Sequence, residues 1–160
     1  MPAAPTLKRL IATSILYMIV ALIAGAVAIA ENLPAEFAGS STGLTAQQDF
    51  LYGMGTALSP PLYTLVIQLA LTTLTRRSDG WGIFGVIGLV VMGSFTFIGA
   101  LGEPIRNQLF NADTFDFPKA AILTGMTLLP LFIITFGILE WARRRRGQEY
   151  VRHGSTRRKS

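Results

Sequence analysis

The sequence predicts an all-α integral membrane protein, a four-helix bundle with both termini cytoplasmic and proline kinks in its second and fourth helices. Two observations predict it. Four stretches, Leu10–Ala30, Phe50–Thr75, Gly80–Gly102 and Ala120–Leu139, carry no charged side chain, and each reaches the roughly 20 helical residues that cross about 30 Å of hydrocarbon. The fourteen Lys and Arg residues fall almost entirely in alternate gaps between these stretches, only Arg106 and Lys119 lying in the others. Short basic loops stay cytoplasmic, so Lys8-Arg9, Arg76-Arg77 and the arginines after Leu139 mark the inner face. Uniform apolarity without period-2 alternation excludes barrel strands. The expected spans are about 10–30, 50–75, 81–102 and 119–141, forming one bundle over 1–142 that is followed by a basic cytoplasmic tail over 143–160. The expected location is the cytoplasmic membrane.

The first span carries small residues at Ala21, Gly25 and Ala28, a spacing that lets another helix approach closely. Its Ala28-Ile29-Ala30 before Glu31 also resembles a signal cleavage site, but the apolar run exceeds a signal core and suits a full crossing. The loop that follows is rich in Pro, Gly, Ser and Thr and favours turns. Thr45 with Gln48 three residues later fits a capping box, which starts the second helix at Ala46.

The second span is too long to lie straight across the hydrocarbon, and Ser59-Pro60-Pro61 interrupts it. Two consecutive prolines remove the donors facing the Thr56 and Ala57 carbonyls, so a kink or unwound turn is expected. Below it Pro61, Thr64, Gln68, Thr72 and Thr75 recur at spacings of three and four, a polar stripe that should face the bundle interior.

The third span starts at Trp81, an interfacial anchor, and carries Gly85, Gly88, Gly99 and Gly102 on one face for close helix packing. Glu103-Pro104-Ile105-Arg106 and the nearby phenylalanines suit a segment lying on the membrane surface. The fourth span has Pro130 near its middle and ends at Glu140-Trp141, where Glu140 can pair locally with Arg143 and Arg144. Both halves share a coarse order of span, outer Glu, Pro, loop, Asp-Phe and Pro-containing span, although this alternation is common to two-span units generally.

Composition removes several function classes. With no cysteine in the chain, disulfides, thiol relays and thiolate metal sites are out. The single histidine, His153, lies in the tail, so no cofactor or metal is expected. No nucleotide or hydrolase motif is present. The net charge of +5 sits at membrane boundaries, which argues against nucleic acid and for anionic headgroups as partners of Arg143, Arg144, Arg145 and Arg146.

Two candidate sites remain. One is a polar cavity beside the break, built from Pro60, Pro61, Thr64, Gln68 and Thr72; the other is an outer mouth at Glu103 and Arg106. The leading expectation is a non-enzymatic membrane protein that acts through helix-to-helix contacts, as an oligomer or as an accessory subunit of a membrane complex, with the glycine face of the third span as the contact. The alternative is a permease or small-ligand-binding bundle that uses the cavity.

Overall fold

A computed structural model describes residues 4–37, 40–102 and 115–156 of the 160-residue chain. Its helices are α1 (Pro5–Ala30), α2 (Ala46–Tyr52), α3 (Leu62–Leu74), α4 (Gly80–Gly102) and α5 (Phe117–Thr156). Strand pairing among the described residues is a two-residue antiparallel ladder, Glu36 opposite Ser41 and Phe37 opposite Ser40, and an isolated antiparallel bridge between Pro34 and Thr56. Three helices, α1, α4 and the Phe117–Arg146 part of α5, are long and apolar enough to cross a membrane. Ile19, Ile23, Phe95, Ile98 and Phe132 are at least half or nearly half exposed, as expected where lipid is the solvent for the outer faces.

Local chemistry sets the helix ends. Pro5 opens α1, where its missing N–H costs nothing. At the other end Asn32 takes φ 50°, and the N–H groups of Leu33 and Asn32 bond back to Ala28 and Ile29. This is a Schellman cap with asparagine in the left-handed position, and it turns the chain sharply inward. The capping box expected at α2 is present: Gln48 N–H donates to the Thr45 hydroxyl at 3.3 Å and Thr45 N–H to the Gln48 amide oxygen at 3.0 Å. Asp79 caps α4 through Gly82 N–H, and Asp116 caps α5 through Lys119 N–H.

The second span is not one helix: of the kink or unwound turn expected within 50–75, the chain takes the unwound form, and over more than a single turn. Helix ends at Tyr52 and resumes only at Leu62. The 13 residues of α3 extend about 20 Å, short of the roughly 30 Å of hydrocarbon. The prolines do more than bend the chain, because Gly55 takes φ +105° and a Cβ there would lie 2.6 Å from the Ser59 carbonyl oxygen. Backbone in that conformation cannot continue a right-handed helix. The fourth span behaves otherwise: α5 runs through Pro130 unbroken.

The helices pack antiparallel in sequence. At one end of the bundle Thr6 of α1 donates to Glu140 of α5 at 2.7 Å; at the other, Lys119 of α5 bridges Glu31 of α1 at 2.6 Å and Asp116 at 2.9 Å. The bond from Lys119 also holds the Asp116 carboxyl below its ordinary range. Helix α4 meets α5 through Gly93, against Pro130 and Ile133, and through Gly137, against Val90. The core between α1, α3, α4 and α5 is formed by Leu10, Tyr17, Leu65, Leu71, Val86, Leu89, Met126 and Ile133.

The glycine face of α4 is divided. Added Cβ atoms at Gly85 and Gly88 would press on Thr75 and Leu71, so these two glycines seat α3 within the same chain, whereas Gly99 and Gly102 meet nothing within 4 Å. The small residues of α1 are likewise used internally, Gly25 lying against the Phe50 ring.

Candidate functional site

The break itself is a built turn. Thr56 N–H donates to the Ser59 carbonyl at 2.7 Å, and the Thr56 hydroxyl accepts from the N–H groups of Ser59 and Leu58. Ala57 N–H reaches the Leu33 carbonyl at 3.2 Å. The Ser59 hydroxyl donates to the Ala21 carbonyl of α1 at 2.8 Å, and Thr64 N–H and Oγ1 both donate to the Pro61 carbonyl. Thr56, Ala57, Leu58 and Ser59 are buried. Non-helical backbone next to the middle of a spanning helix is tolerated only when its polar groups are satisfied by protein in this way.

Because this turn cannot fill the space a helix would fill, a cavity of about 430 Å³ remains between it, the start of α3 and the later half of α4. That volume falls in the usual range for small-molecule sites. Pro60, Pro61 and Thr64 line it, together with Tyr63 and Ile67 of α3, Met92, Phe95, Thr96 and Gly99 of α4, Leu123 and Met126 of α5, and Tyr17 of α1. Among the described residues no charged side chain is part of its walls.

Its hydroxyls differ in one respect. Ser59, Thr64 and Thr56 are occupied as described, and Thr96 donates to the Met92 and Gly93 carbonyls. Tyr17 is fully buried, and its hydroxyl forms no hydrogen bond among the described residues, although it lies beside Thr96. One side of the cavity faces outward: Phe95 is 69% exposed, Met54 61% and Tyr63 49%. Gly85 and Gly88 hold α3 to α4 toward the arginine-rich end.

Gln68 and Thr72 do not line the cavity. They sit toward the arginine-rich end in a buried network in which Ser14 and Thr72 hydroxyls lie 2.7 Å apart and the Gln68 amide donates to Ser14 at 3.1 Å. Thr72 also donates to the Gln68 carbonyl. This network joins α1 to α3 and uses the polar stripe for packing. Glu103 and Arg106, the candidate outer mouth, lie outside the described residues.

The arginines after α5's apolar part are not all free. Glu140 is fully buried, not on the surface as local pairing alone implied; it accepts from Arg143 at 2.6 Å and Arg144 at 2.8 Å as well as from Thr6. Arg144 continues to the carbonyls of Thr75 at 2.6 Å and Arg77 at 3.1 Å. A Cβ on Gly82 would strike the Arg77 carbonyl first and then the Arg144 guanidinium that bonds it, so the glycine makes room for both. Arg145 stacks over Trp141, 4.4 Å from its ring centroid, and Arg146 is exposed.

Asp49 of α2 is fully buried, and its Oδ2 accepts from the Thr42 hydroxyl at 2.6 Å and from Ala35 N–H at 3.2 Å. Sequence reasoning missed Tyr17, Met92, Thr96 and Met126 because they come from three separate helices. A signal for Tyr17 existed: Ser14, Tyr17, Ala21, Ala24 and Ala28 recur at spacings of three and four, and all are buried. Comparison with protein-family models, curated proteins and solved structures finds no match to this chain.

Proposed function

We propose that this protein is a four-pass, non-enzymatic protein of the cytoplasmic membrane that holds a small lipid-soluble ligand in the cavity beside its second-span break. The observation that carries the reading is the cavity of about 430 Å³, bounded by a turn whose own polar groups are already bonded and left open on a lipid-facing side. In this reading α2, the turn and α3 together make the second pass. Antiparallel α1 and α5 put the two chain ends on one face, and the basic gaps make that face cytoplasmic. Anionic headgroups then meet Arg145, Arg146 and the remaining tail, while Arg143 pairs with Glu140 of its own helix and Arg144 ties α5 to the end of α3.

Gly99→Phe tests the site, since a side chain there enters open space at the cavity wall without striking the backbone. Small molecules that copurify with the wild-type protein from its membranes are expected to fall at least fivefold with the variant, at equal yield and thermal stability. Equal retention by both proteins would overturn the reading. The topology is tested separately. The chain has no native cysteine, so Ser155→Cys should resist an impermeant maleimide in intact cells while Ser41→Cys reacts.

Association with a partner or a second copy is the second reading, and the open faces of Gly99 and Gly102 favour it. Gly102→Leu then lowers crosslinking between copies or to a membrane partner without affecting the cavity.

A further inference from the structure

We infer that the ligand is an uncharged amphiphile that enters sideways from the bilayer and buries an oxygen-bearing headgroup against Tyr17, leaving its apolar chain toward the lipid. The inference rests on the cavity reading above and specifies the chemical class that the cavity selects.

Three observations carry it. The first is charge: among the described residues no Lys, Arg, His, Asp or Glu lines the cavity, so a phosphate, carboxylate or ammonium group would give up its hydration there without a counter-ion from them, which is costly. A neutral headgroup escapes that cost. The second is the state of the hydroxyls. Thr56, Ser59, Thr64 and Thr96 already donate within the chain, whereas the wholly buried Tyr17 O–H donates to none of the described residues. The polar group beside that phenol is Thr96, whose own proton goes to the Met92 and Gly93 carbonyls, and a carbonyl or hydroxyl oxygen on the ligand would accept the phenol proton. The third is direction. Tyr17 lies on the bundle side, whereas Phe95, Met54 and Tyr63 form an exposed apolar rim. The polar end of the ligand therefore points inward and the chain outward, opposite to its orientation in a lipid leaflet.

The test uses the full-length protein in phosphatidylcholine vesicles with two diazirine probes of identical chain, a long-chain alcohol and its phosphate monoester. After illumination, adducts are mapped by peptide mass spectrometry. The alcohol is expected to label the cavity residues Met54, Met92 and Phe95 at least tenfold more than the phosphate. Tyr17→Phe, which keeps the ring and removes only the hydroxyl, should lower alcohol labelling about fivefold, the equivalent of one net hydrogen bond, with no loss of thermal stability. Gly99→Phe should abolish labelling by both probes. Equal labelling by alcohol and phosphate, blocked by Gly99→Phe, would overturn the charge selection while leaving the cavity reading intact. Alcohol labelling indifferent to Tyr17→Phe in a stably folded variant would overturn the assignment of the headgroup. Absence of cavity adducts with either probe would overturn both readings.

Discussion

Pro60-Pro61 and Pro130 both interrupt apolar runs of spanning length, yet the chain unfolds locally at the first and remains helical through the second. The first site loses two helical donors and disfavours the α region at both Ser59 and Pro60, whereas Pro130 removes one donor and restricts one residue. The neighbourhood differs as well. Before Pro60 stand Gly53 and Gly55, the second at φ +105°, and Thr56 and Ser59, whose side chains close a turn and bond α1. Around Pro130 the helix is flanked by residues that pack, and Gly93 of α4 lets the neighbouring backbone approach the Pro130 carbonyl. Here a proline leaves a helix continuous where the neighbours pack, and ends it where glycine and hydroxyl residues supply another place for the freed backbone groups to bond.

The largest expected effect comes from removing the positive-φ position. Gly55→Val places a branched side chain in a conformation that L residues rarely adopt and onto the Ser59 carbonyl, which should cost about 3 kcal/mol or more. Heating in detergent, followed by far-UV circular dichroism, should show a strongly lowered midpoint or no folded protein. Gly93→Ala is its counterpart beside Pro130. The added Cβ would lie 3.2 to 3.4 Å from Ile134, the Pro130 carbonyl and Ile133, and this crowding is offset by roughly 1 kcal/mol of helix propensity. A midpoint near wild type is expected, and a drop as large as that of Gly55→Val would erase the distinction between the two sites.

Next in size is the clasp that anchors the unbroken helix. Glu140→Ala removes the acceptor shared by Thr6, Arg143 and Arg144 and should destabilise by about 2 to 3 kcal/mol. This lies below the 3 to 5 kcal/mol of a fully buried pair because Arg143 remains hydrated. Lys119→Ala at the opposite end should cost about 1 kcal/mol or less, as its partners Glu31 and Asp116 are partly exposed. Chemical denaturation of the two variants in one detergent measures the ratio, and equal losses would remove Glu140 from its role.

These contrasts also show how far the sequence could be read. The apolar runs at α1, α4 and α5 are legible because lipid imposes one requirement on length and composition. The Thr45-Gln48 box is legible because capping acts within three residues. The extent of the break was not, because φ at Gly55 depends on a turn completed by Leu33 and Ala21, distant in the chain. The same holds for the site. Pro60, Pro61 and Thr64 are marked by the break itself, but Gln68 and Thr72 lie on the same stripe and are consumed by Ser14 of another helix. A stripe on one helix shows which face turns inward; whether packing or space meets it depends on the facing helices. Glu140 was underestimated for a similar reason, since Thr6 and the Thr75 carbonyl that Arg144 reaches lie far away in sequence.

A smaller effect separates hydroxyls that join elements from hydroxyls that serve their own helix. Ser59→Ala loses the only described bond between the break and the Ala21 carbonyl, with an expected cost of about 1 kcal/mol. Thr135→Ala loses an exposed bond to Leu131 within α5, where alanine is the better helix former, so a change near zero is expected. Thermal midpoints measured side by side decide this, and an equal cost at both positions would argue against Ser59 as a tie between elements.

The smallest expected effect is the most discriminating. If glycine and hydroxyl neighbours maintain the break, then restoring donors at the prolines should not heal it. In Pro60→Ala/Pro61→Ala the Thr56 carbonyl still faces Ser59 N–H and Gly55 still favours its turn, so far-UV circular dichroism should show no added helix. Pro130→Ala, by contrast, returns a donor to the Met126 carbonyl inside an existing helix. The gained bond, about 1 kcal/mol, is offset by the two buried ring methylenes removed, at roughly 0.8 kcal/mol each. Stability should therefore stay near wild type or fall by about half a kcal/mol, again without added helix. A gain of more than one helical turn in the double variant would mean that the prolines alone make the break, and the cavity should then close with it, taking Tyr17-dependent labelling by the alcohol probe to background.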